Sequence, residues 1–117
     1  MGTIKIKRIY EQPEKADGLR ILVDRLWPRG VKKESAELDS WMKEVAPTPD
    51  LRKWFNHEPA KWDEFKARYI HELKHNEALD ALLEKVKDHK VVTLLYAAKD
   101  EHYNHAAVLH HFLKSQH

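Results

Sequence analysis

The sequence contains no cysteine. Disulfide staples, a thiolate nucleophile and cysteine-ligated zinc are therefore excluded, and the absence fits a cytoplasmic protein. Long apolar runs are also missing. The most extended, Val91 to Ala98, is too short to cross a bilayer, and the opening MGTIKIKRIY has no signal-peptide core. A cytoplasmic location with no membrane partner is expected. Nor does charge of one sign dominate: 21 Lys and Arg stand against 19 Asp and Glu, a formal net charge of +2. So even a balance does not support nucleic acid as a partner. Internal repeats, linkers and low-complexity segments are absent as well.

What is present suits a packed core. Hydrophobic residues make up 42% and charged residues 34%, an ordinary globular balance, and four Trp, four Tyr and three Phe supply bulk. Disorder is a poor reading of such a chain. A length of 117 residues is one domain's worth, so residues 1–117 are expected to form a single α/β domain.

Thr3 to Ile9 sets Ile4 and Ile6, with Ile9 out of phase, among Lys and Arg, the pattern of a half-buried, edge-type strand. Pro13, Asp17 and Gly18 mark a turn. Leu19 to Val23 is a short, β-branched apolar run, a buried strand ending at Asp24-Arg25. Pro28 and Gly30 break Leu26 to Lys33 into a loop.

Leu38, Trp41, Met42 and Val45 fall at i, i+3, i+4 and i+7, which predicts a helix stopped by Pro47. Thr48-Pro49 predicts an N-cap and first helical residue for a short helix through Leu51, Trp54 and Phe55. Pro59 opens the next helix, with Trp62, Phe65, Tyr69 and Leu73 inward, and Asn76 breaks or caps it. Leu79, Leu82, Leu83 and Val86 give another inward stripe. Val91 to Leu95 is the second strongly apolar strand, and a last helix turns Val108, Phe112 and Leu113 inward. The expected fold is α/β: a small, mainly parallel three-stranded sheet with helices packed on both faces.

In open parallel sheets ligands bind outside the carboxyl ends of the strands. Two polar segments stand there: Asp24-Arg25-Leu26-Trp27-Pro28-Arg29-Gly30, and Tyr96 through His105. Parallel strands would bring them face to face. Arg25 and Arg29 offer planar, permanently charged forks for phosphate or carboxylate. Otherwise Arg25 would pair with a helix carboxylate and Arg29 would be solvated. At about 100° per residue, His105 falls on the same side of its helix as Val108 and Phe112. That position suits an acid, a base or a ligand. It equally suits a core histidine bonded to a backbone carbonyl. Asp100 and Asn104 each read as a helix N-cap or as site residues. Lys99 is a phosphate contact or simply surface. Trp27, in a loop between charges, is ligand-facing or packed, whereas Trp41, Trp54 and Trp62 read as core at helical spacing.

His71-Glu72-Leu73-Lys74-His75 matches the zinc-protease pattern H-E-x-x-H. With Trp62 as zero, Phe65, Tyr69 and Leu73 lie within about 60°, while His71 and His75 fall near roughly 180° and 220°, on the solvent side. No metal site and no cofactor are expected.

The segments Leu22 to Gly30, Leu51 to His57 and Thr93 to Asp100, with Asn104-His105-Ala106, together resemble the YeaO-like family of small bacterial proteins, part of a larger domain-of-unknown-function group. The resemblance spans nearly the whole chain and brings no activity with it. Longer relatives in the group resemble this chain at the strand end, with Asp-x-Arg where it has Asp24-Arg25, and carry Cys-His-Arg near the position of Asn104-His105. This chain has no Cys there, so thiol chemistry is not implied, and the shared histidine is His105.

Two functions follow. In one, an enzyme or binder takes an anionic small molecule, such as a nucleotide or phosphorylated metabolite. Arg25 and Arg29 hold the anion, His105 oriented by Asp100 acts as acid or base, and Trp27, Lys99, Asn104, Arg52 and His57 complete the pocket. In the other, the chain is a non-catalytic regulatory module binding nucleic acid or protein. Its aromatic-rich helices suit either closure of the core or packing against a second copy as a homodimer.

Overall fold

The computed structural model describes residues 2–116. Met1 and His117, both inside the expected 1–117 domain, lie outside the described residues. In chain order the elements are β1 (Thr3–Arg8), β2 (Leu19–Leu22), α1 (Lys33–Ala36), β3 (Ser40–Trp41), α2 (Pro49–Phe55), α3 (Trp62–Lys74), α4 (Ala78–Asp88), β4 (Val91–Tyr96) and α5 (His105–Ser115). The strands form one sheet in the order β1-β4-β2-β3, every neighbouring pair parallel. The sheet thus has four strands, not three, with β1 on an edge as its alternating charges predict.

The extra strand replaces a predicted helix. Leu38, Trp41, Met42 and Val45 have helical spacing, yet only the single turn of α1, starting where the expected loop ends, comes before them. Glu37 sits in the left-handed region (φ 47°) and turns the chain out of α1. The chain then pairs with the open edge of β2: Asp39 N donates to Arg20 O (2.9 Å) and Met42 N to Leu22 O (2.9 Å). The Asp39 carboxylate also accepts from Arg20 N (2.8 Å). An unpaired strand edge satisfied in this way outweighs local periodicity.

The two faces of the sheet are unlike. Side chains alternate along a strand. Ile4, Ile21, Val23, Val92, Leu94 and Tyr96 point to one face, where α2 through α5 close the main core around Phe65, Tyr69, Leu82 and Leu109. All four longer helices therefore share one face, against the expectation of helices on both. The other face holds a small core of Ile9, Leu22, Ala36 and Leu95, with Trp27, Val31 and Leu38 against it. The out-of-phase Ile9 belongs here. Beside it lies a polar cluster: Asp17, 3% exposed, contacts both Arg20, 4% exposed, and Lys7. Loops and one helical turn cover this face because there is less apolar surface to bury.

The helix ends follow the sequence signals. Thr48 caps α2, its Oγ1 accepting from Leu51 N, with Pro49 first in the helix. Asn76 Oδ1 accepts from Ala78 N at the start of α4. The structure shows Asn104, not Asp100, as the N-cap of α5, accepting from Ala107 N (2.8 Å).

Candidate functional site

The exits of β2 and β4 lie side by side. Val23 N donates to Leu95 O (3.0 Å), and Ala97 N donates to Asp24 Oδ2 (2.9 Å). These bonds carry the parallel pairing one step past the strands. They set the Asp24–Gly30 loop against the Ala97–Asn104 loop. The far wall comes from the Ala46-Pro47 bend, from α2 and from Phe65 of α3. Between them is a cleft of about 660 Å³. Its position obeys the carboxyl-end rule for parallel sheets, and its size falls in the range of small-molecule sites.

All nine residues singled out from the sequence line this cleft, but their settings differ. Arg25 is half-buried and, rather than pairing with a helix carboxylate, is held by backbone. Its Nε donates to Pro47 O (3.2 Å) and its Nη2 to Ala46 O (3.0 Å). Nη1 has no hydrogen-bond partner among the described residues. Arg29 is exposed, and its carbonyl accepts from Tyr10 OH (2.9 Å). Arg52, His57 and Lys99 are exposed at the rim. Trp27 is half-buried: its Nε1 donates to Val31 O (2.7 Å), and its ring meets Trp41 edge-on at 5.3 Å. It is packed and lines the cleft at once.

His105 stands deeper, its side chain 16% exposed. Its Nε2 lies 3.0 Å from Val23 O. A carbonyl only accepts, so Nε2 carries the hydrogen. The ring also meets Tyr69 edge-on at 6.3 Å. Tyr69 OH donates to Val45 O (2.6 Å), and burial holds that phenol in its neutral form by pushing its pKa well up.

Asp100 does not orient this histidine. Its Oδ1 accepts from His102 N and Tyr103 N, both at 2.9 Å, within its own exposed loop. Those two bonds hold its carboxyl below the usual range. The carboxylate beside His105 is Asp24, whose Oδ1 is 3.1 Å from Nε2. The Nε2–H points toward Val23 O instead, and Asp24 Oδ1 remains buried with no hydrogen bond. Asp24 is not among the site residues the sequence reading picks out, although its place at a strand exit, next to Arg25, is a signal for it. The carbonyls of Ala46 and Pro47 had no signal, since only the tertiary fold brings them to Arg25.

The H-E-x-x-H segment lies elsewhere. His71 and His75 are exposed, and the Glu72 carboxylate accepts from Thr48 N (3.0 Å) and Thr48 Oγ1 (2.7 Å). Among the described residues no group of three or more His, Asp or Glu is placed to hold a metal ion. Nor, among the described residues, is any helix long and apolar enough to cross a membrane.

Fold and site together define a parallel α/β protein with a cationic-rimmed cleft at the carboxyl ends of its strands. Residues 3–117 match the family described as the inactive DUF488-N3 subclade, and the chain belongs to that family. It is 45% identical over 112 residues to the uncharacterised protein YeaO of Escherichia coli K12, covering 96% of this chain and 97% of that one. It is 41% identical over 113 residues to the uncharacterised protein Rv3073c of Mycobacterium tuberculosis H37Rv, covering 97% of this chain and 95% of that one. No solved structure matches it significantly.

Proposed function

We propose that the cleft binds an anionic small molecule bearing phosphate or carboxylate. One observation carries this reading. Arg25, Arg29, Arg52 and Lys99 arrive from three separate segments around one cleft, and no carboxylate of the described residues lies within ion-pair distance of any of them. Lack of a partner alone is not the distinction, since among the other described cations only Lys7, Arg20, Lys61 and Arg68 are paired; the convergence on one cleft is. Arg25 is the anchor, because its two backbone bonds hold the guanidinium still and leave Nη1 for a ligand. The family's description as an inactive subclade supports binding rather than turnover. So does the absence of a cysteine nucleophile beside His105.

Thermal shift and calorimetry with inorganic phosphate, sugar phosphates, nucleotides and small dicarboxylates test the proposal. A ligand at 100 times its Kd stabilises the fold by about 2.7 kcal/mol. The gain should vanish in Arg25→Ala and shrink in Arg52→Ala, whose exposed side chain has no part in the fold. If no class of anion stabilises the protein, or both variants respond like the wild type, the proposal is wrong.

A further inference from the structure

Cations and unpartnered acceptors of the cleft differ in depth. Arg29, Arg52 and Lys99 stand exposed at the rim, beside the Asp100 carboxylate, whose Oδ1 is taken up by the amides of its own loop. Two acceptors lie deeper, at the floor. Asp24 and His105 are 15% and 16% exposed at their side chains, well below the rim. The His105 hydrogen is committed at Nε2 toward Val23 O, so Nδ1 of the neutral ring is a lone-pair acceptor with no partner among the described residues. Behind the ring, the buried Asp24 Oδ1 lies 3.1 Å from Nε2 and has no hydrogen bond of its own. This carboxylate adds negative charge beside the ring, whose tautomer the Val23 carbonyl fixes. It also repels a second anion from the floor.

Granted the anion-binding reading above, on which this step rests, we infer that the ligand is a phosphate monoester with a free hydroxyl, its phosphate at the arginine rim and its hydroxyl donating to Nδ1 of His105. A bare phosphate or carboxylate satisfies only the rim and would leave the floor unpaired, which costs affinity. The remaining walls favour a planar body between these two ends. Phe55, Phe65, Trp27 and Tyr103 line the cleft, and about 660 Å³ is far more room than a lone phosphate fills. A ribonucleoside 5′-monophosphate has all three parts.

The test is calorimetry of the full chain with inorganic phosphate, with AMP, GMP, CMP and UMP, and with their 2′,3′-dideoxy counterparts. The tightest ribonucleotide should bind about tenfold or more tightly than its dideoxy form, and His105→Ala should erase that difference while leaving the dideoxy affinity unchanged. A wild-type measurement guards against a variant that fails to fold. The side-chain 15N spectrum of His105 should show the Nε2–H form in the free protein and a shifted Nδ1 with the ribonucleotide alone. Equal affinity for ribo and dideoxy forms, or an unmoved Nδ1, overturns the inference and leaves the anion site standing. If phosphate and every nucleotide fail to bind, this inference falls, and the anion site falls with it only where sugar phosphates and dicarboxylates fail as well.

Discussion

Nε2 of His105, the first residue of α5, is bonded at 3.0 Å to the carbonyl of Val23, the residue that follows β2. In the sheet β2 and β1 flank β4, so this bond ties the start of the last helix to an inner strand exit. Further along α5, His110 Nε2 reaches Ile4 O (2.7 Å) on the edge strand β1. Two histidines thus pin one helix to two strands. His105→Ala leaves a fully buried residue's carbonyl without its partner. The expected loss is about 1–3 kcal/mol in urea unfolding, with no change in helix content. Unchanged stability would mean that the imidazole serves the cleft alone.

On the opposite face, Asp17 is gripped by two cations. Its carboxylate contacts Lys7 Nζ (3.1 Å) and Arg20, and its Oδ2 also accepts from Glu14 N (2.9 Å). Arg20 further donates to Ala36 O (2.9 Å). Removing the charge in Asp17→Asn leaves two poorly solvated cations facing each other. Breaking a buried pair from one side costs about 3–5 kcal/mol, and urea midpoints should fall accordingly. Leu at Asp17 should be worse still, because the Glu14 amide is orphaned too.

The same carboxylate sets an acid limit. Burial pushes the Asp17 carboxyl up, but hydrogen bonds from Glu14 N, Lys7 and Arg20 outweigh it and hold it below its ordinary value. A group lowered on folding stabilises fully above its unfolded value of about 3.9, and the gain is lost as pH falls through the folded value. Stability should therefore fall as pH drops below about 4, and Asp17→Asn should flatten that limb. For Lys7, burial pushes the amine down, but Glu14 and Asp17 raise it overall, so its contribution is lost only at strongly alkaline pH. An acid limb of equal slope in wild type and Asp17→Asn would contradict this account.

Legibility from sequence followed the range of the physics involved. The edge strand, the two apolar strands, the Thr48-Pro49 start and the Phe65-Tyr69-Leu73 stripe all rest on local patterning, and the structure contains each of them. At Ser40–Trp41 the helical spacing misleads, because the pairing with Ile21–Leu22 is a tertiary event. The one-sided placement of the helices was equally hidden. It depends on Lys5, Lys7, Arg20 and Thr93 taking the second face, and alternation shows polarity without showing what covers it. At the cleft, strand exits placed the residues together, but side-chain partners needed coordinates. Asp24 displaced Asp100 beside His105 because an exposed loop carboxylate is satisfied by its own amides.

Two glycines separate close packing from backbone strain. Both are left-handed, Gly18 at φ 64° and Gly30 at φ 78°. At Gly18 an added Cβ would sit 2.3 Å from the carbonyl oxygen of Val91, the first residue of β4, where no side chain can move aside. At Gly30 the same atom would meet nothing within 4 Å. Gly30→Ala therefore bears only the conformational cost of a left-handed alanine, about 1–2 kcal/mol. Gly18→Ala bears that cost and must also push β2 away from β4, so its thermal midpoint should fall much further than that of Gly30→Ala. Because β2 leads directly into Asp24 and Arg25, anion binding should weaken in Gly18→Ala even below its melting range. In Gly30→Ala, out on the Trp27–Gly30 loop, binding should change only as far as Arg29 shifts. Equal losses of stability in the two variants would show that the β2–β4 contact is slack at its start.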